Sequence, residues 1–327
     1  MTICVFGLGA VGGLIAARLA RSGAPVAGVA RGATLAAVRE RGGLVLAEGP
    51  DGEPSAPVPL TVTDDPAALG PQDVVIIAVK ATALPAAAPA IARLIGPETA
   101  IVPAMNGLPW WFFHGLGRDI RLESTDPGGT LSRRLPADQV VGAVLHLAAS
   151  CPEPGVVRRP AGERIILGDP AGGSARAEPV AAALRRAGFE VETADRIQRA
   201  VWYKLWGNMT LNPLSLITGA TMDRILDDPL ARGFASACMR EAAEVGARIG
   251  LPIGTDPEER HAVSRGLGAV RTSMLQDAEA GRPVELDALV GGVAELGRTV
   301  GVATPSVDAL LGLARLNARV RGLYPDE

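Results

Sequence analysis

The stretch that most limits what this chain can fold into stands at its beginning. Thr2 to Phe6 is a short β-branched and aromatic run, and GLGAVG (Gly7, Leu8, Gly9, Ala10, Val11, Gly12) follows at once, leading into an alanine-rich helical stretch through Arg21. Strand, glycine turn and helix in direct succession are the context that a dinucleotide-binding βα unit requires. Gly7 permits the tight turn, Gly9 lets the backbone approach a pyrophosphate, and Gly12 lets helix and strand pack closely. The pyrophosphate would rest on the helix N-terminus, where unpaired N–H groups and the helix dipole favour an anion. The six residues Gly7 to Gly12 are therefore expected to bind a cofactor, and the alternative of a glycine-rich helix entry without a ligand fits the flanking strand and helix less well.

About 20 residues further on, an NAD-binding domain places an acidic residue on the ribose 2′-hydroxyl. No Asp or Glu occurs from Met1 to Arg39. The second strand, about Pro25 to Ala30, ends instead in Arg31, whose guanidinium matches a 2′-phosphate in fork geometry. This favours NADP (NADPH) over NAD, with a solvated loop arginine as the alternative.

The segment Gly42 to Thr63 mixes Gly and Pro with short apolar runs and predicts irregular strands or a hairpin. DVVIIAVK (Asp73 to Lys80) reads as a buried parallel strand with Lys80 at its C-terminal end, the edge where doubly wound sheets bind ligands. Lys80 is thus either a cofactor or substrate contact or a surface lysine. Ala100 to Pro103 predicts another strand, followed by MNGLP. Asn106 there either hydrogen-bonds a ribose or substrate, or serves as ordinary Asn-Gly turn chemistry. The aromatic run WWFF (Trp110 to Phe113) is expected to wall a pocket, cover a domain junction or form a subunit contact. Further strands are predicted at Val140 to Ala149, Gly155 to Leu167 and Phe189 to Glu192, with a helix at Val180 to Ala187.

From about Thr193 the strand patterns stop and helices are predicted at Ala194 to Thr218, Pro229 to Gly250, Pro257 to Ala280, Val284 to Val300 and Pro305 to Arg321. Alternating strands and helices followed by helices alone imply an α/β chain of two domains. Residues 1–192 would form a Rossmann-type dinucleotide-binding domain and residues 193–327 an all-α catalytic domain, and pockets form preferentially at such junctions.

Composition narrows the class. A net charge of -3 without a basic block argues against nucleic acid as a partner. Three distant cysteines are too few for a disulfide framework and fit a reducing compartment. The N-terminus lacks the basic region of a signal peptide, and the longest apolar strand-like run, Val74 to Val79, is far short of a membrane span. A soluble, cytoplasmic protein without a membrane or metal partner is expected. The three histidines show no metal spacing and read as structural.

The second domain opens on AVWYKLWGNMTLNP (Ala200 to Pro213), where Lys204, Asn208 and Asn212 stand four residues apart. In a helix of about 3.6 residues per turn they share one side of an otherwise apolar cylinder. Burying an ammonium and two amides without partners is costly, so the three groups face either a filled pocket or internal hydrogen bonds. Lys204 in a pocket would be the proton donor of a reduction. Ser273 is placed on a long helix. Glu285 is placed in the first turn of the next, either paired with Lys204 or acting as a simple N-terminal charge.

GLGAVG, Lys80, the Asn106-Gly107 turn, KLWGNMTLNPL, SMLQD and the ELD that puts Glu285 twelve residues after Ser273 together resemble the ketopantoate reductase (2-dehydropantoate 2-reductase) family. The resemblance spans both predicted domains and keeps the order of the motifs. It implies NADPH-dependent reduction of a 2-keto acid, most directly 2-dehydropantoate to pantoate, with Lys204 as general acid and substrate ligand. It further implies that Asn208 and Asn212 hold the substrate, that Ser273 lies near its carboxylate, and that Asn106 touches both cofactor and substrate. Glu285 would touch the cofactor and the lysine, and Lys80 the cofactor. Two departures bear on the choice of substrate: Met222 stands where the family commonly has a substrate-binding Asn, and WWFF is bulkier than the small residues of many members. Two rivals follow, a reductase of the same family acting on another branched or aromatic 2-keto acid, and an NADPH-binding regulatory protein without turnover. An exposed WWFF would suggest a homo-oligomer.

Overall fold

The computed structural model describes residues 1–48 and 52–326. The chain divides into two compact units, the first made of Met1–Met105, Trp110–Ile120 and Gly129–Ala200, the second of Asn106–Pro109, Arg121–Gly128 and Val201–Glu327.

In chain order the first unit runs β1 (Ile3–Phe6), α1 (Ala10–Arg21), β2 (Val26–Val29), α2 (Gly32–Arg41), β3 (Val45–Glu48), β4 (Thr61–Thr63), β5 (Val74–Ile77), α3 (Leu84–Ile91), β6 (Ala100–Pro103), β7 (Gly142–Glu153), β8 (Val156–Gly168), α4 (Ala177–Arg186) and β9 (Glu190–Thr193). The strands β1, β5 and β6 are buried at every position, as continuous apolar runs in a doubly covered parallel sheet must be. They belong to a five-stranded sheet of order β4-β2-β1-β5-β6 whose neighbours are all parallel, with Ile3 opposite both Val26 and Val74. The chain winds outward to β2 on one side of β1 and to β5 on the other. The C-terminal end of β1 is therefore the topological switch point at which such sheets take ligands.

A second sheet of order β3-β8-β7, with β9 also on β8, completes the unit. β7 and β8 form an antiparallel hairpin, whereas β3 and β9 each run parallel to β8. The irregular strands or hairpin expected over Gly42 to Thr63 are both present in part: β3 joins the second sheet and β4 is an edge of the first, while Leu44 and Ala47 make isolated antiparallel bridges to Val58 and Pro54. The part of that stretch at residues 49–51 lies outside the described residues. α1 packs on both sheets through two consecutive glycines. A Cβ at Gly12 would stand 1.9 Å from the Gly7 carbonyl oxygen, and one at Gly13 would stand 2.7 Å from Val157 of β8.

Most of the aromatic run is buried within the first unit. Trp111, Phe112 and Phe113 are at most 7% exposed, and the two phenylalanine rings meet edge to face at 5.2 Å. Trp110 Nε1 donates to the Leu135 carbonyl at 3.0 Å. Trp111 to Phe113 are core of the first unit, because this much ring surface is worth more buried than displayed, while Trp110 is partly buried.

The second unit takes most of α5 (Ile197–Thr218), then α6 (Met222–Asp227), α7 (Pro229–Arg248), α8 (Pro257–Arg265), α9 (Ser273–Glu279), a π turn (Asp287–Gly291) that continues as α10 (Gly292–Val300), and α11 (Pro305–Val320). α5 is buried on nearly all sides, and Trp206 Nε1 within it donates to the Met239 carbonyl of α7 at 2.6 Å. The long helix expected over Pro257 to Ala280 is two. It breaks after Arg265, where Gly268 takes a φ of +77°, and restarts when Thr272 Oγ1 caps α9 by accepting from Leu275 N–H. Among the described residues no helix is long and apolar enough to cross a membrane.

Candidate functional site

The glycine turn follows β1 at the switch point and belongs to the first unit. Gly7 adopts a φ of +101°, and a Cβ there would meet Val79 Cγ1 at 2.9 Å and the Ala78 oxygen at 3.0 Å, so neither its conformation nor its surroundings admit a side chain. Gly12 is excluded from substitution by Gly7 itself. Gly9 is different: it is exposed, its φ is -77°, and a Cβ would meet no protein atom within 4 Å. Its bareness serves nothing inside the chain and leaves room for a group approaching the backbone. α1 starts at Ala10 with no side-chain cap and no acidic residue in its first turn, so the amides of Ala10 and Val11 stand at an uncapped positive helix end. This cradle fits a dinucleotide pyrophosphate. The Leu8 side chain is buried against Gly28, so only its backbone faces the turn.

Arg31 follows β2 as the exposed residue ahead of α2. Lys80 is also exposed, but β5 ends at Ile77 and Lys80 stands three residues beyond it, before a 3-10 turn at Ala81–Ala83. Both lie past the C-terminal ends of strands that flank β1, on the edge of the sheet that carries the glycine turn.

The remaining candidates belong to the second unit. Lys204, on α5, is partly buried, and its Nζ donates to Asn106 Oδ1 at 2.7 Å. Burial disfavours the charged form and pushes the ammonium down from 10.5 to about 8. Asn106 is fixed by its own loop: Leu108 N–H donates to the Ala288 carbonyl at 2.7 Å, while Gly107, at a φ of +94°, sits where a Cβ would come within 2.7 Å of Ala288. Turn chemistry and site chemistry are therefore the same feature at Asn106-Gly107.

One and two turns after Lys204, Asn208 is partly buried and Asn212 is 6% exposed, and no hydrogen bond of either side-chain amide is found among the described residues. Buried amides ordinarily find partners, so these two are suited to an external ligand. The Ser215 hydroxyl bonds both the Asn212 carbonyl, at 2.8 Å, and Thr272 Oγ1, which ties the start of α9 to this turn of α5. Ser273, the first residue of α9, is exposed and stands on a seven-residue helix of about two turns rather than within a long one. Glu285 is 9% exposed and precedes the helical stretch that begins at Leu286, instead of lying in its first turn. Met222 opens α6, with its N–H bonded to the Val270 carbonyl at 3.0 Å.

Two clusters had no signal in the sequence. Ser236 Oγ lies 2.7 Å from Glu258 Oε1 and 3.0 Å from His261 Nε2. Ser236 and His261 are at most 3% exposed, and burial lowers the imidazole below its usual range. The hydroxyl is the shared partner of both groups rather than the end of a relay, so the trio fastens α7 to α8. The second cluster joins Asp287, Arg315 and Tyr324 beside Glu285. A pattern-based reading passes over it because the three residues are far apart in sequence.

Comparison with known proteins agrees with both halves of this arrangement. The sequence model of the family described as "Ketopantoate reductase PanE/ApbA" matches residues 3–172, and that described as "Ketopantoate reductase PanE/ApbA C terminal" matches residues 196–318. A 2-dehydropantoate 2-reductase of Mesorhizobium japonicum is 42% identical over 99% of this chain and 100% of its own length. Among solved structures, a protein of Ralstonia solanacearum MolK2, provisionally named a ketopantoate reductase, is 52% identical with a TM-score of 0.94 over 99% of both chains. A 2-dehydropantoate 2-reductase of Methylococcus capsulatus is 28% identical, with a TM-score of 0.83 over 98% of both chains. With family models that match residues 3–172 and 196–318 and a relative 42% identical over its full length, the chain belongs to the ketopantoate reductase family of oxidoreductases.

Proposed function

We propose that this protein uses NADPH to reduce a 2-keto acid to its 2-hydroxy acid, with 2-dehydropantoate as substrate and Lys204 as general acid. The observation that carries the reading is the partly buried Lys204 ammonium, pushed down to about 8 and held by Asn106 at 2.7 Å. A donor whose pKa lies near the working pH is both sufficiently charged and sufficiently acidic to give up a proton.

When bound, the dinucleotide supplies a hydride to the keto carbon. Lys204 stabilises the charge that develops on the carbonyl oxygen and passes a proton to it, so that carbon and oxygen each gain one hydrogen and the product is the alcohol. The lysine amine then recovers its proton from solvent. Asn106 fixes the direction of Nζ, while the amides of Asn208 and Asn212 hold the substrate on the same side of α5. Ser273, an exposed residue at the start of α9, receives the substrate carboxylate. Gly7 to Gly12 and Lys80 bind the dinucleotide, Arg31 its 2′-phosphate, and Glu285 touches both the cofactor and the lysine.

One observation favours a second reading, reduction of a different branched or aromatic 2-keto acid. Met222 stands where the family commonly uses an asparagine for substrate. Trp111 to Phe113 lend this reading no support, since they are buried in the first unit. The test follows NADPH absorbance with 2-dehydropantoate and a panel of 2-keto acids. Fastest turnover on 2-dehydropantoate supports the first reading, and fastest turnover on another member of the panel supports the second. NADPH binding without oxidation on any member ends both.

A further inference from the structure

Asp287 is the residue at which the C-terminal segment meets the catalytic loops of the second unit. The Tyr324 hydroxyl lies 2.8 and 2.9 Å from its two carboxylate oxygens, and Arg315 Nη2 donates to Oδ1 at 2.7 Å. The guanidinium groups of Arg315 and Arg319 both stand 5.6 Å from the centre of the Tyr324 ring. One residue earlier, the Leu323 carbonyl accepts from Val284 N–H at 3.1 Å.

These contacts bracket Glu285. Val284 on one side of it is tied to Leu323, and Asp287 on the other is tied to Tyr324. Asp287 also opens the π turn, whose defining bond runs from Gly292 N–H back to the Asp287 carbonyl. Such turns are rare and concentrate at functional sites. The next residue, Ala288, accepts from Leu108 and packs on Gly107, and the neighbouring Asn106 receives the Lys204 hydrogen bond. A continuous path of fixed atoms therefore runs from Tyr324 through Asp287 and Ala288 to the partner of Lys204.

We propose that Tyr324 and Asp287 are positioning residues, a clamp from the C-terminal segment that fixes the π turn and thereby sets both Glu285 and the Asn106 loop for Lys204. The proposal rests on the functional reading above. The clamp is built to stay closed: burial first, then the hydrogen bond and charge of Asp287, raise the Tyr324 phenol above its ordinary value, so it remains a protonated donor across the working range. A loosened turn would act on turnover before it acted on folding, because small misplacements of a catalytic group are felt more strongly in rate than in stability.

The test compares full-length wild type with Tyr324→Phe, which keeps the ring beneath the arginines and removes only the hydroxyl. Hydrogen exchange at the Leu108 amide reads the path directly. Exchange about tenfold faster, with a melting temperature within a few degrees of wild type, is expected from local loosening. kcat on the 2-keto acid should fall about tenfold, with the NADPH Kd unchanged within about twofold. Asp287→Asn keeps shape and an acceptor for the phenol but loses the charge held by Arg315, and should show the same pair of changes at smaller size. Wild-type exchange at Leu108 in both variants overturns the proposal, as does faster exchange with unchanged kcat. Inactivity of the wild type on every 2-keto acid would instead remove the functional reading, while the exchange comparison still supports or overturns the clamp.

Discussion

Lys204 Nζ and Asn106 Oδ1 lie 2.7 Å apart although 98 residues of chain separate them. The asparagine reaches this point because Gly107 turns the chain with a positive φ against Ala288, and the lysine because α5 buries its other faces. The pair thus depends on two local structures that neither residue could impose alone. If Lys204 is the proton donor, Lys204→Ala should lower kcat at least about 10²-fold while leaving the circular dichroism spectrum intact. Turnover close to that of wild type would exclude the role.

The position of the lysine also sets two pH dependences. Reduction needs the ammonium, so kcat/KM for the 2-keto acid should be level below about 8 and fall by about tenfold per unit above it. Stability moves in the opposite direction. With a folded pKa of about 8 against 10.5, the folded protein binds fewer protons than the unfolded chain between those values, so stability rises with pH through that window. The penalty for housing the charged lysine is fully present below 8. Lys204→Met should therefore melt above wild type at pH 7, and the gap should narrow as the pH approaches 10.5. A gap of constant size would contradict the depressed pKa.

Arg31 tests the choice of dinucleotide. Arg31→Ala removes a guanidinium suited to the 2′-phosphate and leaves the exposed start of α2 otherwise as it was, so KM for NADPH should rise at least about tenfold while KM for NADH hardly changes. Steady-state kinetics with the two cofactors decide the matter, and equal increases would count against the assignment.

The glycines of the turn separate binding from folding. A methyl group at Gly9 meets nothing within 4 Å, so Gly9→Ala should melt like wild type and yet bind NADPH at least about tenfold more weakly in a fluorescence titration. At Gly12 the added Cβ would fall 1.9 Å from the Gly7 oxygen, and Gly12→Ala should lose several degrees of melting temperature or fail to fold. Reversal of this pattern would mean that the turn is bare for packing alone.

The sequence by itself determined the doubly wound sheet and the helical second half, because buried parallel strands and amphipathic helices are local periodic patterns and a glycine turn carries its own geometry. It also placed Lys204, Asn208 and Asn212 on one side of α5, since a single helix fixes their spacing. Tertiary structure decided everything that needed two distant segments at once. It moved β3 and β4 into different sheets, because pairing partners such as Val45 and Val156 are more than a hundred residues apart. It buried Trp111 to Phe113 in a core that no neighbouring pattern announces, and it broke the helix before Ser273 at a glycine and a threonine cap. Above all it joined Asn106 to Lys204 and Asp287 to Tyr324, bonds whose energy depends on tenths of an ångström between side chains and which leave no periodic trace in the chain.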